Sequence, residues 1–225
     1  MILSIETSTE VCSIAFHKNG DLLFEDTSYE AYSHAERLAP MIRDAMAYQG
    51  IEKADLSAIA ISAGPGSYTG LRIGTSTAKG LCYALDIPLI TVNTLESMLL
   101  SLPAGYENHW KCPMIDARRM EVYCLLANEQ NELINGVEAK IIDKNAFEQE
   151  LINQKIVFYG NGAGKCQPVM MSDNADFILN ITPHARDIGA LATKKFNKQE
   201  FADLAYFEPE YLKPYIAIKA KNPLQ

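Results

Sequence analysis

Leu56-Ser-Ala-Ile-Ala-Ile-Ser-Ala-Gly-Pro-Gly-Ser-Tyr-Thr-Gly70 is the stretch that decides the fold class. Residues 56–62 are apolar or small, which reads as a buried strand. They run into the glycine loop 63–70, and a helix is expected from about Leu71 to Leu85. Pro88 to Val92 reads as another strand and Thr94 to Leu102 as another helix. Strands alternating with helices point to a parallel sheet with helices on its faces.

Toward the N-terminus, Ile2–Ile5 and Val11–Phe16 read as strands around the polar break Glu6-Thr-Ser-Thr-Glu10. Asn19-Gly20 marks a tight turn before a third strand at Asp21–Thr27. Ser33 and Glu36 have the spacing of a helix capping box. Leu38, Met41, Ile42, Ala45 and Met46 follow at helical spacing, with Pro40 near the start and Gly50 as the stop. Toward the C-terminus, 103–110 changes character and marks a domain boundary. Strands are expected at 111–115, 121–127, 135–142 and 155–159, and helices near 143–152 and 184–197. The tail from Phe207, with Pro209, Pro214 and Pro223, reads as irregular. Strand, polar turn, strand thus occurs twice, near 2–16 and 112–127. Two related α/β halves are expected, 1–102 and 103–225, with 184–225 packing back on the first.

The 225 residues are 48% hydrophobic and 21% charged, with net charge −8. An acidic chain lacks the Lys/Arg excess that grips nucleic acid unaided, which leaves room for work on nucleic acid only beside a basic partner. Five cysteines, an odd number without CxxC, predict reduced thiols and neither a disulfide framework nor a structural zinc site. The N-terminus is not a signal peptide and no stretch spans a bilayer, so a cytoplasmic protein with no membrane partner is expected. His17, His34, His109 and His184 show no HxxH or HxxxH spacing and are expected at the surface or in loops. No metal ligands are expected. The loop 64–70 is neither a Walker A motif nor GxSxG. It can hold an anion at a helix N-terminus or simply shape a turn. The small residues Gly70, Gly74, Thr77, Ala78 and Leu81 line one side of the following helix. That side suits close helix packing, either internal or with another chain.

Four segments together resemble the TsaB family. They are Met1-Ile-Leu-Ser-Ile-Glu-Thr-Ser8, Ser33-His-Ala-Glu-Arg-Leu-Ala-Pro40, Gly64-Pro-Gly-Ser-Tyr-Thr-Gly-Leu-Arg-Ile-Gly74 and Ile115-Asp-Ala-Arg-Arg-Met-Glu-Val-Tyr123. Gly160-Asn-Gly-Ala163 and Pro209-Glu-Tyr-Leu212 extend the likeness over most of the chain. The resemblance implies an actin-like ATPase (ASKHA) fold: α/β, two similar domains, mixed sheets flanked by helices. It implies a bacterial, non-catalytic subunit needed for N6-threonylcarbamoyladenosine at tRNA position 37. The implied partners are a TsaD-type transferase and a TsaE-type ATPase, with homodimers in isolation. TsaD carries an HxxxH metal pair where this chain has Thr94-Leu-Glu-Ser-Met98. A hydroxyl and a thioether do not replace two imidazoles.

Catalytic residues are therefore not expected. The expected partner surface comprises His34, Arg37, Leu38, Met41, Ile42, Ala45, Gly70, Arg72, Ile73, Gly74, Thr77, Ala78 and Leu81. Actin-like ATPases hold phosphates between two hairpins. The matching residues for a nucleotide or anion are Glu6, Thr7, Ser8, Asp116, Arg118, Gly160 and Gly162. No cofactor is required by this reading, although Glu6 and Asp116 leave room for weak ATP or ADP binding with Mg²⁺. The alternative is a stand-alone actin-like ATPase or small-molecule kinase. A peptidase is disfavoured, because no nucleophile–base pair supports one.

Overall fold

The computed structural model describes residues 1–30 and 33–213. The last part of the expected second domain, 214–225 with Pro214 and Pro223, lies outside the described residues. Two five-stranded sheets repeat one plan. In the first, β1 (Ile2–Glu6), β2 (Cys12–Lys18) and β3 (Asp21–Ser28) form an antiparallel meander. β4 (Ala58–Ser62) and β5 (Leu89–Val92) then extend it in parallel beyond β1, in the order β3-β2-β1-β4-β5. In the second, β6 (Trp110–Asp116), β7 (Glu121–Ala127) and β8 (Leu133–Ile141) form the meander, and β9 (Ile156–Tyr159) and β10 (Ala175–Ile178) run parallel to β6. Reading β6 for β1, the two strand orders coincide.

Strand alternation decides which helix covers which face. Leu3 and Ile5 of β1, with Ile14, Phe16, Ile59 and Ile61, pack under α1 (His34–Gln49) and α2 (Tyr68–Leu85). These helices contribute Leu38, Met41, Ile42, Ala45, Ala78 and Cys82. Ile2, Ala58, Ala60, Ile90 and Val92 point to the opposite face, which α6 (Ala185–Asn197) covers with Ile188 and Ala192. The chain thus finishes the second sheet and returns to the first. Gly189 makes the return tight, since a Cβ there would lie 2.1 Å from the His17 ring and 2.8 Å from Ser4 Oγ. Between the sheets, α3 (Thr94–Met98) packs Leu95 and Met98 on Ile115, Leu125 and Val157, and the Tyr159 hydroxyl donates to the Met98 carbonyl at 3.1 Å.

The segment after α6 then crosses the first half again. Ala202 pairs with Leu89, Lys79 Nζ donates to the carbonyls of Ala205 (3.0 Å) and Phe207 (3.2 Å), and Glu210 N donates to Ala63 O at 2.7 Å. Lys213 ends on the second sheet, paired with Glu121.

Local expectations differ in places. Asn19 (φ 55°) and Gly20 (φ 98°) make the expected turn. The Ser33 capping box does not form. Ser33 has φ −98° and ψ 4°, outside the extended region a cap needs, and its hydroxyl donates to Glu30 O at 2.6 Å instead. Two of the histidines are not surface residues: His17 and His34 are buried, His34 with Nε2 3.3 Å from Val11 O. The five cysteines are buried and free.

Candidate functional site

The glycine loop closes onto the first hairpin turn. A Cβ at Gly66 would lie 2.4 Å from Ser8 O, one at Gly70 2.1 Å from Thr7 O, and one at Gly74 2.3 Å from Thr7 Oγ1. These glycines admit the turn 6–8 to within backbone contact. The loop's N–H groups serve the same closure: Ser67 N donates to Ser8 O at 2.6 Å, Gly70 N to Ser67 Oγ at 3.3 Å and Leu71 N to Ser67 O at 2.9 Å.

Glu6 lies inside this closure with no exposed surface. Its Oε1 accepts from Ser8 N at 2.5 Å and from the Ser62 hydroxyl at 3.1 Å, while Oε2 has no partner. Burial pushes the carboxyl above its ordinary value of 4.5, against the pull of its hydrogen bonds to Ser8 and Ser62. A raised folded-state value makes stability fall as pH rises from the unfolded value through the folded one. Glu6→Gln keeps both acceptor contacts and removes this titration. It is expected to gain stability over the parent as pH rises above 4.5, read from urea denaturation between acid and neutral pH. An equal pH slope in both proteins would mean that Glu6 titrates normally.

On the second hairpin, Asp116 Oδ1 sits 2.6 Å from Lys165 Nζ and accepts from Arg118 N, also at 2.6 Å. Asp116 N donates to Asn161 Oδ1 at 3.0 Å. Gly160 and Gly162 let the 160–163 turn clasp β6: Cβ atoms there would lie 2.3 Å from Met114 O and 3.0 Å from Ile115 C. Glu6 and Asp116 therefore differ sharply. One is buried with a raised carboxyl, the other is ionically engaged at the surface. Glu6 is closed off from solvent, and Asp116 is held by Lys165. Thr94 and Met98 are fully buried, Met98 in the core between the sheets. Among the described residues no group of three His, Cys, Asp or Glu is placed to share a metal, and no helix is long and apolar enough to cross a membrane.

The expected partner surface divides. His34, Leu38, Met41, Ile42, Ala45, Gly70, Gly74 and Ala78 are buried within this chain, and of these Ile42 also lines the groove between α1 and α2. Period alone located the inward faces of the two helices, which the sheet beneath covers. Arg37 is exposed and paired with Glu30. Arg72 donates to the Tyr211 hydroxyl at 3.3 Å and lies 4.1 Å over the Tyr68 ring. Ile73, Thr77 and Leu81 stay half-buried. Beside them lies an apolar groove of about 710 Å³ between α1 and α2, lined by Ala39, Met46, Leu56, Leu81, Ala84 and Leu85 among others. Ala39 and Ala84 are exposed on its rim. Sequence reading missed both. Their signal was their place one helical step away from the buried stripe.

The family model described as "TsaD: tRNA N6-adenosine threonylcarbamoyltransferase" matches residues 29–221. The chain is 30% identical over 230 residues to the tRNA threonylcarbamoyladenosine biosynthesis protein TsaB of Escherichia coli (strain K12), covering 97% of this chain and 96% of that one. A Pseudomonas aeruginosa crystal structure, described as an uncharacterized protein with similarity to peptidase YEAZ, superposes with TM-score 0.82 at 27% identity. It covers 94% of this chain and 99% of that one. The ADPNP-bound activator of the 2-hydroxyisocaproyl-CoA dehydratase from Clostridium difficile shares the fold alone, with TM-score 0.50 at 9% identity over 90% of this chain and 98% of that one.

Proposed function

Because the chain belongs to the TsaB family of tRNA threonylcarbamoyladenosine biosynthesis proteins, we propose that it acts in that synthesis as a non-catalytic subunit. It pairs with a TsaD-type transferase, joined by a TsaE-type ATPase, in the cytoplasm. The observation that carries the pairing is the apolar groove between α1 and α2. An apolar hollow flanked by two outward helix faces suits helices from a partner, and the same hollow can take a second copy when the partner is missing. Thr94 and Met98 serve the core, which supports a chain without its own transfer chemistry. It requires no cofactor of its own. The tRNA is met within the assembly rather than by the isolated acidic chain.

The stand-alone ATPase or kinase reading is not favoured. The close approach of the glycine loop to the 6–8 turn, the burial of Glu6 and the pairing of Asp116 with Lys165 count against it. Light scattering on this chain, alone and mixed with the TsaD-type protein of the same organism, tests the proposal. A 1:1 species, with modified tRNA formed only when both are present, is the expected outcome. No complex at tens of micromolar (about −6 to −7 kcal/mol of binding) would overturn it.

A further inference from the structure

The turn between β6 and β7 holds two adjacent arginines in an unusual state. Arg118 has φ 70° and Arg119 φ 50°, so both stand in the left-handed region that bulky side chains rarely adopt. Both are exposed, and neither side chain has an ion pair or hydrogen bond among the described residues. The acids around them are taken. Asp116 holds Lys165 and the Arg118 N–H, and Glu121 holds Lys213. A chain of net charge −8 thus presents a protruding, locally unneutralised pair of guanidinium groups.

We propose that Arg118 and Arg119 form a contact for the phosphate backbone of RNA. This rests on the reading that the chain works in a tRNA-modifying assembly. Guanidinium forks match phosphate oxygens two at a time. Exposed arginines on a hairpin turn can reach a phosphate backbone, which positions RNA without reading its sequence. A free nucleotide fits the turn less well. It would need backbone N–H groups at close approach, and the Arg118 N–H is already given to Asp116.

The test replaces both residues with ones at home in this conformation, Arg118→Asn with Arg119→Gly, so that the turn relaxes while both charges go. Light scattering first reads assembly with the TsaD-type protein, and fluorescence anisotropy then follows tRNA binding against salt, for the assembly and for the chain alone. Assembly should be unchanged. The tRNA affinity should fall about tenfold at low salt, and the slope of log K against log salt should flatten by about 1.5, as two lost phosphate contacts require. Arg118→Lys with Arg119→Lys should keep the slope. Equal affinity and slope in parent and variant would overturn the contact, as would no tRNA bound in either arm. If binding of the partner protein is lost instead, the arginines serve a protein interface and the RNA contact is wrong. If the parent chain forms no complex, the subunit reading fails separately, and the titration of the chain alone still decides the arginines.

Discussion

Gly70→Ala is expected to destabilise the protein by about 3 kcal/mol, near the top of the usual overpacking range. The new Cβ would lie 2.1 Å from the Thr7 carbonyl oxygen, and Gly70 is buried. The obstacle is backbone, so no side-chain rotation relieves it. Either α2 moves off the sheet or the 6–8 turn opens. The second movement would also break the Ser67 N to Ser8 O bond and expose Glu6. For a chain of this length the loss corresponds to a fall in Tm of about 6–12 °C. Gly80 on the same helix is the control. Nothing lies within 4 Å of a Cβ there, and the site is exposed. Gly80→Ala should stabilise by up to about 1 kcal/mol through helix propensity. Thermal denaturation followed by circular dichroism reads both. If the two substitutions moved Tm alike, the close approach at Thr7 would be wrong.

The same geometry changes the meaning of Gly74→Arg. From the sequence that substitution looks like a block to a partner helix. In the structure Gly74 faces Thr7 Oγ1, so the arginine would first disrupt the chain's own packing. The sequence carried the period of the small-residue stripe but not what lies against it, because a sheet strand and a partner helix call for the same small residues. The elements that read cleanly were those set by local rules: the Asn19-Gly20 turn, the glycine loop between β4 and α2, and the doubled strand–turn–strand openings. β10 escaped notice because Ala175–Ile178 is a four-residue strand at the sheet edge, with β9 as its one strand neighbour among the described residues. The buried state of His17 was equally hidden. It depends on α6, more than 150 residues downstream, lying across β1 and β2 with Gly189 over the imidazole.

The groove yields the sharper functional test. Ala39→Arg with Ala84→Arg is expected to weaken pairing with the TsaD-type protein by about 100-fold or more. Loss of a central contact typically costs upwards of 2 kcal/mol, and two buried, unpaired charges cost more. Both alanines are exposed on the groove rim, α1 on one side and α2 on the other. Long charged side chains there can extend into water in the isolated chain, so its Tm should stay within about 2 °C of the parent, as for ordinary surface substitutions. Bound, the two guanidinium groups would be shut against a mostly apolar hollow whose lining offers one carboxylate, Glu52, beside the cations Arg43 and Lys53. The pair of measurements separates folding from docking, which Gly74→Arg cannot do. Unchanged affinity by light scattering and titration would remove the groove from the interface, and the partner would then have to engage a surface away from α1 and α2.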